Sequence, residues 1–213
     1  METVSRRERH KQATRERILD CAAQLFAARG YDATAIDDIA SCADVARATV
    51  FNYFARKEEI ILEWITQRRA RAAEVLAANE TTPIDTPTRL GQAMRALAED
   101  YEADPTVGRA MVQAWLRAGG PLLGDAWSTA DLFATTIRQG QDDGEIVAAV
   151  DATVAAKLLL DAYLGTLYRW AQSTSTTPLH DALQTTLDLA LTGMTTNNST
   201  LRQPRERLPK GTP

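Results

Sequence analysis

An all-α fold is what this sequence predicts, arranged as an N-terminal three-helix helix-turn-helix domain followed by a larger helical domain. Three observations carry that prediction. Apolar residues recur at helical spacing from Thr14 to Thr192, and no alternating strand pattern competes with them. Glycines and prolines punctuate those runs, at Gly30, Pro105, Gly119, Gly120, Pro121 and Gly144. The stretch TAIDDIASCADVARATVFNYFARK, Thr34 to Lys57, spells two short helices about a tight turn.

The elements follow in order. Arg6, Arg7, Arg9, Lys11, Arg15 and Arg17 crowd the start of the chain, opposed by Glu2, Glu8 and Glu16. Such an arm either lies along a phosphate backbone or frays in solvent. A first helix spans about Thr14 to Arg29 and stops at Gly30. A second starts at Thr34, with Asp37 three residues on as a capping-box partner, and carries Ile36, Ile39 and Ala40 inward. Ala43, Asp44 and Val45 make the turn, where Asp tolerates a left-handed backbone. On the third helix, about Ala46 to Phe54, Val50 and Phe54 share the packed face, which leaves Arg47, Thr49, Asn52 and Tyr53 pointing elsewhere. Those four carry DNA-contact chemistry: Arg and Asn match base edges, and hydroxyls match phosphates. Lys57 beside Arg56 then opens a long helix running to about Asn79, a cation at a helix N-terminus that would seat a phosphate.

Beyond a linker at residues 80–88, helices are expected at about 88–103, 106–118, 122–142, 151–172 and 179–192. The boundaries that result are residues 1–57 for the reader, 58–192 for the second domain, and 193–213 for a tail expected to be disordered.

Composition narrows the function classes. In 213 residues, 45% hydrophobic and 24% charged, there is material for a substantial core, and the formal net charge is −4. That charge is unevenly spread: residues 1–57 hold ten Lys or Arg against eight Asp or Glu, while the remainder is acidic. No run of eighteen apolar residues exists and the start of the chain lacks a signal-peptide core, so a cytoplasmic protein is expected. Cys21 reads as core filling and Cys42 as more exposed, in a composition suited to a reducing compartment. With only His10 and His180 as histidines, no metal-ligand spacing and no nucleophile setting around His180, Ser173 and Asp181, neither catalysis nor a cofactor is expected.

From Arg15 to about Leu62, the segments RERILDCAAQLFAARGYDAT, IDDIA, ATVFNYF and KEEIIL resemble the DNA-binding domain of the TetR family of bacterial one-component transcription regulators. Asp44, Ala46 and Phe51 depart from the family pattern, which has Gly, a Ser cap and Tyr there. The resemblance implies DNA contacts at Thr34, Arg47, Thr49, Asn52, Tyr53 and Lys57. It also implies a helical C-terminal domain that holds a ligand pocket and dimerises through its last two helices. For the pocket, Trp115, Tyr163, Trp127, Met111 and Arg117 are the candidates, with Arg109 or Gln113 as further polar contacts. For the interface they are Ala155, Leu159 and Ala162 with Leu183 and Leu187, although an intramolecular core is the usual role of such a stripe. The function implied is a ligand-responsive, sequence-specific regulator. By default it is a homodimeric repressor that leaves an inverted-repeat operator when a small apolar or amphipathic molecule binds. An activator, a corepressor-dependent regulator or an architectural DNA-binding protein are the alternatives.

Overall fold

The computed structural model describes residues 5–78, 84–120, 127–174 and 176–192. Nine α-helices lie among them: α1 Arg6–Arg29, α2 Ile36–Cys42, α3 Arg47–Tyr53, α4 Lys57–Ala78, α5 Thr86–Glu102, α6 Pro105–Arg117, α7 Trp127–Asp142, α8 Ala152–Gln172 and α9 Leu179–Thr192. The expected tail, from residue 193, lies outside the described residues.

The basic arm is helix. Ser5 caps α1 by accepting from the Arg7 backbone N–H at 3.2 Å, so the first basic residues form its opening turns. Thr14, expected to open the helix, is instead inside it, its hydroxyl donating to the His10 carbonyl at 3.0 Å. The far end stops where Gly30 adopts φ 84°, a left-handed value that favours glycine, and its N–H closes on the Phe26 carbonyl.

α1, α2 and α3 converge on a small core of Ile18, Ala22, Phe26, Ile39, Val50 and Phe54, which Ile60 and Ile61 of α4 complete. α4 therefore belongs both to the reader and to the helical body, packing on α5 as well as on α1. In the body, α8 packs on α7, α6 and α9, and α5 packs on α9. Aspartates cap three of these helices, at Asp85, Asp104 and Asp151. Gly108 lets the start of α6 cross the end of α5 closely, since a Cβ there would run into the Tyr101 carbonyl. α1 also packs on α6, so two seams join the reader to the body.

Candidate nucleic-acid interface

α2 and α3 set the geometry. The turn between them places Asp44 at φ 52°, the left-handed conformation expected of it, and the Val45 N–H reaches back to the Ala40 carbonyl at 3.0 Å. Buried Ile39, Ala40 and Ala43 of α2 and its turn meet buried Val50 and Phe54 of α3. Anchoring α3 by one side leaves Arg47, Phe51 and Asn52 exposed, with Thr49 and Tyr53 half-buried at the edges of the open face. Ala46 stands at the N-cap of α3 without a side-chain bond, and its carbonyl accepts the Thr49 and Val50 N–H groups at 2.8 and 3.3 Å.

Arg47 is held only lightly. Its guanidinium meets Asp37 at 2.7 Å with both side chains about three-fifths exposed, and it lies 5.4 Å from the Phe51 ring centroid. A pair so open to solvent is worth about 0–1 kcal/mol, which a base edge or phosphate can outbid.

Two expected contacts are engaged elsewhere. Thr34 is buried, and its hydroxyl donates to the Gly30 carbonyl at 2.8 Å, so it faces the reader's interior and does not open α2. That helix begins at Ile36 with Ala35 as its N-cap, and the carboxylate that reaches back to the cap is Asp38, not Asp37: it accepts the Ala35 N–H at 2.9 Å. This bond, reinforced by Arg29 at 2.8 Å, holds the Asp38 carboxyl below the usual range. Lys57 reaches inward as well. Its Nζ donates to the carbonyls of Tyr31 at 2.6 Å and Thr34 at 3.0 Å and sits 3.8 Å from the Tyr31 ring centroid. It clamps the turn between α1 and α2 against α4. The N-terminus of α4 is not an open phosphate seat either, because Glu59 accepts the Ala55 N–H at 2.8 Å. Beside it, Glu58 accepts the Tyr31 hydroxyl at 2.7 Å, which lowers the Glu58 carboxyl.

Cys21 is not simply core filling and the pair is not reduced: a disulfide joins Cys21 of α1 to Cys42 at the end of α2, with Cα atoms 5.8 Å apart. Its one sequence signal was that both cysteines of the chain fall in the reader.

In the body, Trp115 and Tyr163 line one internal cavity with Ile65, Arg69, Tyr101 and Val112, but its volume is only about 10 Å³. Burial, first, and the hydrogen bond between Tyr101 and Tyr163 hold the Tyr163 hydroxyl well above the usual tyrosine range. Met111 is fully buried core. Arg117 lies away from the cavity, exposed at the end of α6 and facing Asp32 at 3.9 Å. The Trp127 side chain lies outside the described residues.

The expected dimer stripe faces inward. Ala155, Leu159, Leu183 and Leu187 are buried within the chain, because α8 and α9 spend that face on α7, α6, α5 and each other; Ala162 is half-buried. What α8 and α9 leave outside is Val154, Leu158 and Tyr168, 64, 55 and 49% exposed, with Leu189 at 74%.

Known proteins are similar to this chain in sequence and in fold. Residues 18–64 match the family described as bacterial regulatory proteins, tetR family. The HTH-type transcriptional repressor KstR of Rhodococcus jostii is 24% identical over 179 residues, covering 83% of this chain and 82% of that protein. The A-factor receptor protein of Streptomyces griseus is 27% identical over 148 residues, 70% of this chain and 51% of that protein. Among solved structures, the transcriptional repressor FadR of Thermus thermophilus in complex with lauroyl-CoA superposes with a TM-score of 0.68. It is 26% identical and covers 92% of this chain and all of that one.

Proposed function

We propose that the chain is a ligand-responsive transcription regulator, on the premise that residues 18–64 match the family described as bacterial regulatory proteins, tetR family. It binds an inverted-repeat operator as a homodimer and, as a repressor, leaves it when a small apolar or amphipathic molecule binds. The carrying observation is α3, fixed by buried Val50 and Phe54 and open on the side of Arg47, Phe51 and Asn52, as a helix that enters a major groove must be. Arg47 and Asn52 read bases, and Thr49 and Tyr53 hold phosphates. Thr34 and Lys57 act behind them by fixing the turn on which α2 rests.

Two-fold symmetry is supplied by a second copy of the chain, packed on the exposed stripe of Val154, Leu158, Tyr168 and Leu189. A dimer presents two readers about 34–36 Å apart, one turn of DNA. The effector enters at Trp115 and Tyr163, where about 10 Å³ holds at most a water, so it selects a conformation in which the helices around that cavity have parted. Lauroyl-CoA in the FadR structure supports an amphipathic effector. Coupling of about 1–3 kcal/mol between ligand and operator is the usual scale. No helix among the described residues is long and apolar enough to cross a membrane, and an operator-binding, non-enzymatic protein works in the bacterial cytoplasm.

Selection of genomic fragments by the purified protein at near-physiological salt tests the reading. One inverted repeat, enriched about a thousandfold or more over bulk DNA, is expected. Diffuse, steeply salt-sensitive retention would instead mark an architectural protein.

A further inference from the structure

A cleft far larger than the internal cavity lies where α1 meets α6. Its volume is about 990 Å³, and it is walled by the end of α1, the start of α6, Trp170 of α8 and the segment leading into α9. We propose that this cleft is a second binding site, for a flat organic anion: an aromatic ring system carrying a carboxylate, sulfonate or phosphate group. This goes beyond the regulator reading and does not depend on it.

Size and walls come first. Small-molecule sites run to about 300–1,000 Å³, sit at junctions between structural units, and combine apolar walls with a few polar groups. Here Phe26, Ala27, Ala110 and Trp170 give the apolar part, and Thr106 and Gln113 stand among them. A second hollow of about 250 Å³ shares Phe26, Arg29, Gly30, Ala110 and Gln113 with the cleft, so the space extends along α6 toward Asp32 and Arg117.

Charge and ring geometry set the ligand class. Arg109 lies with its guanidinium carbon 4.7 Å from the Trp170 ring centroid and donates to the Ser173 carbonyl, which fixes a cation on an aromatic plate in the wall. Arg29 is the second wall cation. The one wall carboxylate, Glu102, accepts from the His180 backbone N–H at 3.2 Å and meets its ring Nδ1 at 2.8 Å. An aromatic plate next to fixed guanidinium charge suits a planar ring with an acidic substituent, which pairs with arginine through charge-assisted bonds. Arg29 also pairs with Asp38 in the first turn of α2, so the occupant would touch a residue of the reader that is bonded to its second helix.

The test is calorimetric titration of the full chain, without DNA, using 1-anilinonaphthalene-8-sulfonate as the probe. Wild-type protein is expected to bind one probe per chain. Thr106→Trp, an exposed change that fills the cleft, should weaken binding by at least about tenfold. Arg109→Gln should weaken it by about threefold or more. Asp143→Asn, exposed just beyond the end of α7 and outside the walls of the cleft, should leave it unchanged. Equal affinity in wild type and Thr106→Trp, or loss through Asp143→Asn alone, would overturn the proposal. Circular dichroism of each variant checks its fold, and Thr106→Trp decides the matter if Arg109→Gln does not fold. Because no operator is present, failure here leaves the regulator reading untouched, and failure of operator selection leaves this site untouched.

Discussion

Arg47 and Lys57 show how similar-looking cations come to do different work. Arg47 spends its charge on an exposed aspartate, so Arg47→Ala should leave the thermal midpoint of the protein nearly unchanged. The same change should cost about 1–3 kcal/mol in operator affinity and relax preference at one base position, as read by anisotropy on a panel of operator variants. Uniform loss across the panel would demote Arg47 to a phosphate contact. Lys57 bonds two carbonyls of the turn before α2, so Lys57→Ala should lower the thermal midpoint through a loss of about 1–3 kcal/mol and weaken all operators alike. An unchanged midpoint would mean that the clamp is unimportant. Sequence spacing found both residues but could not separate them. What separates them is where the carbonyls of Tyr31 and Thr34 point, which depends on how α1 ends at Gly30. Thr34 was misread for the same reason, since a threonine ahead of a helix resembles a cap until a nearer carbonyl claims its hydroxyl.

The helices themselves were largely legible, because their signals are local. Gly30 and the left-handed Asp44 stand where the pattern placed them, and α8 and α9 fall within a residue of their expected limits. The start of α1 was missed because a run of charged residues has no apolar period, and its helix is secured by the Ser5 cap. Pairing between elements was the harder matter, as the disulfide shows. Closing 21 residues of chain between α1 and α2 is worth about 3 kcal/mol on loop entropy, so reduction with dithiothreitol, or Cys42→Ser, should lower the midpoint of thermal unfolding by several degrees. Identical melting with and without reductant would show that the bond contributes nothing to stability in solution. Neither change touches α3.

At the scale of the whole molecule, periodicity identified the apolar faces of α8 and α9 but not which side each spends inside the chain. Both helices have apolar residues on two sides, and only packing against α5, α6 and α7 decides between them. Leu187 is fully buried, so Leu187→Asp should unfold the body and would be a poor probe of assembly. Leu158→Glu is the informative change: light scattering after gel filtration should show a folded monomer in place of a dimer, with operator affinity falling as two-fold engagement is lost. A persistent dimer would move the interface off this stripe.

The tryptophans have a practical consequence for watching this protein at work. All four, Trp64, Trp115, Trp127 and Trp170, lie beyond α3, and Trp64 and Trp170 stand edge-on to Tyr101 at 5.3 and 6.5 Å. Ultraviolet emission from the unlabelled chain therefore reports on the body and on its seam with the reader, where Trp170 shares a cleft wall with the end of α1. It will brighten, dim or change colour as the surroundings of those indoles change, and none of them stands on α1, α2 or α3. Paired with a dye on the DNA, it gives two clocks in one stopped-flow trace, from which the order of ligand arrival and operator departure can be timed.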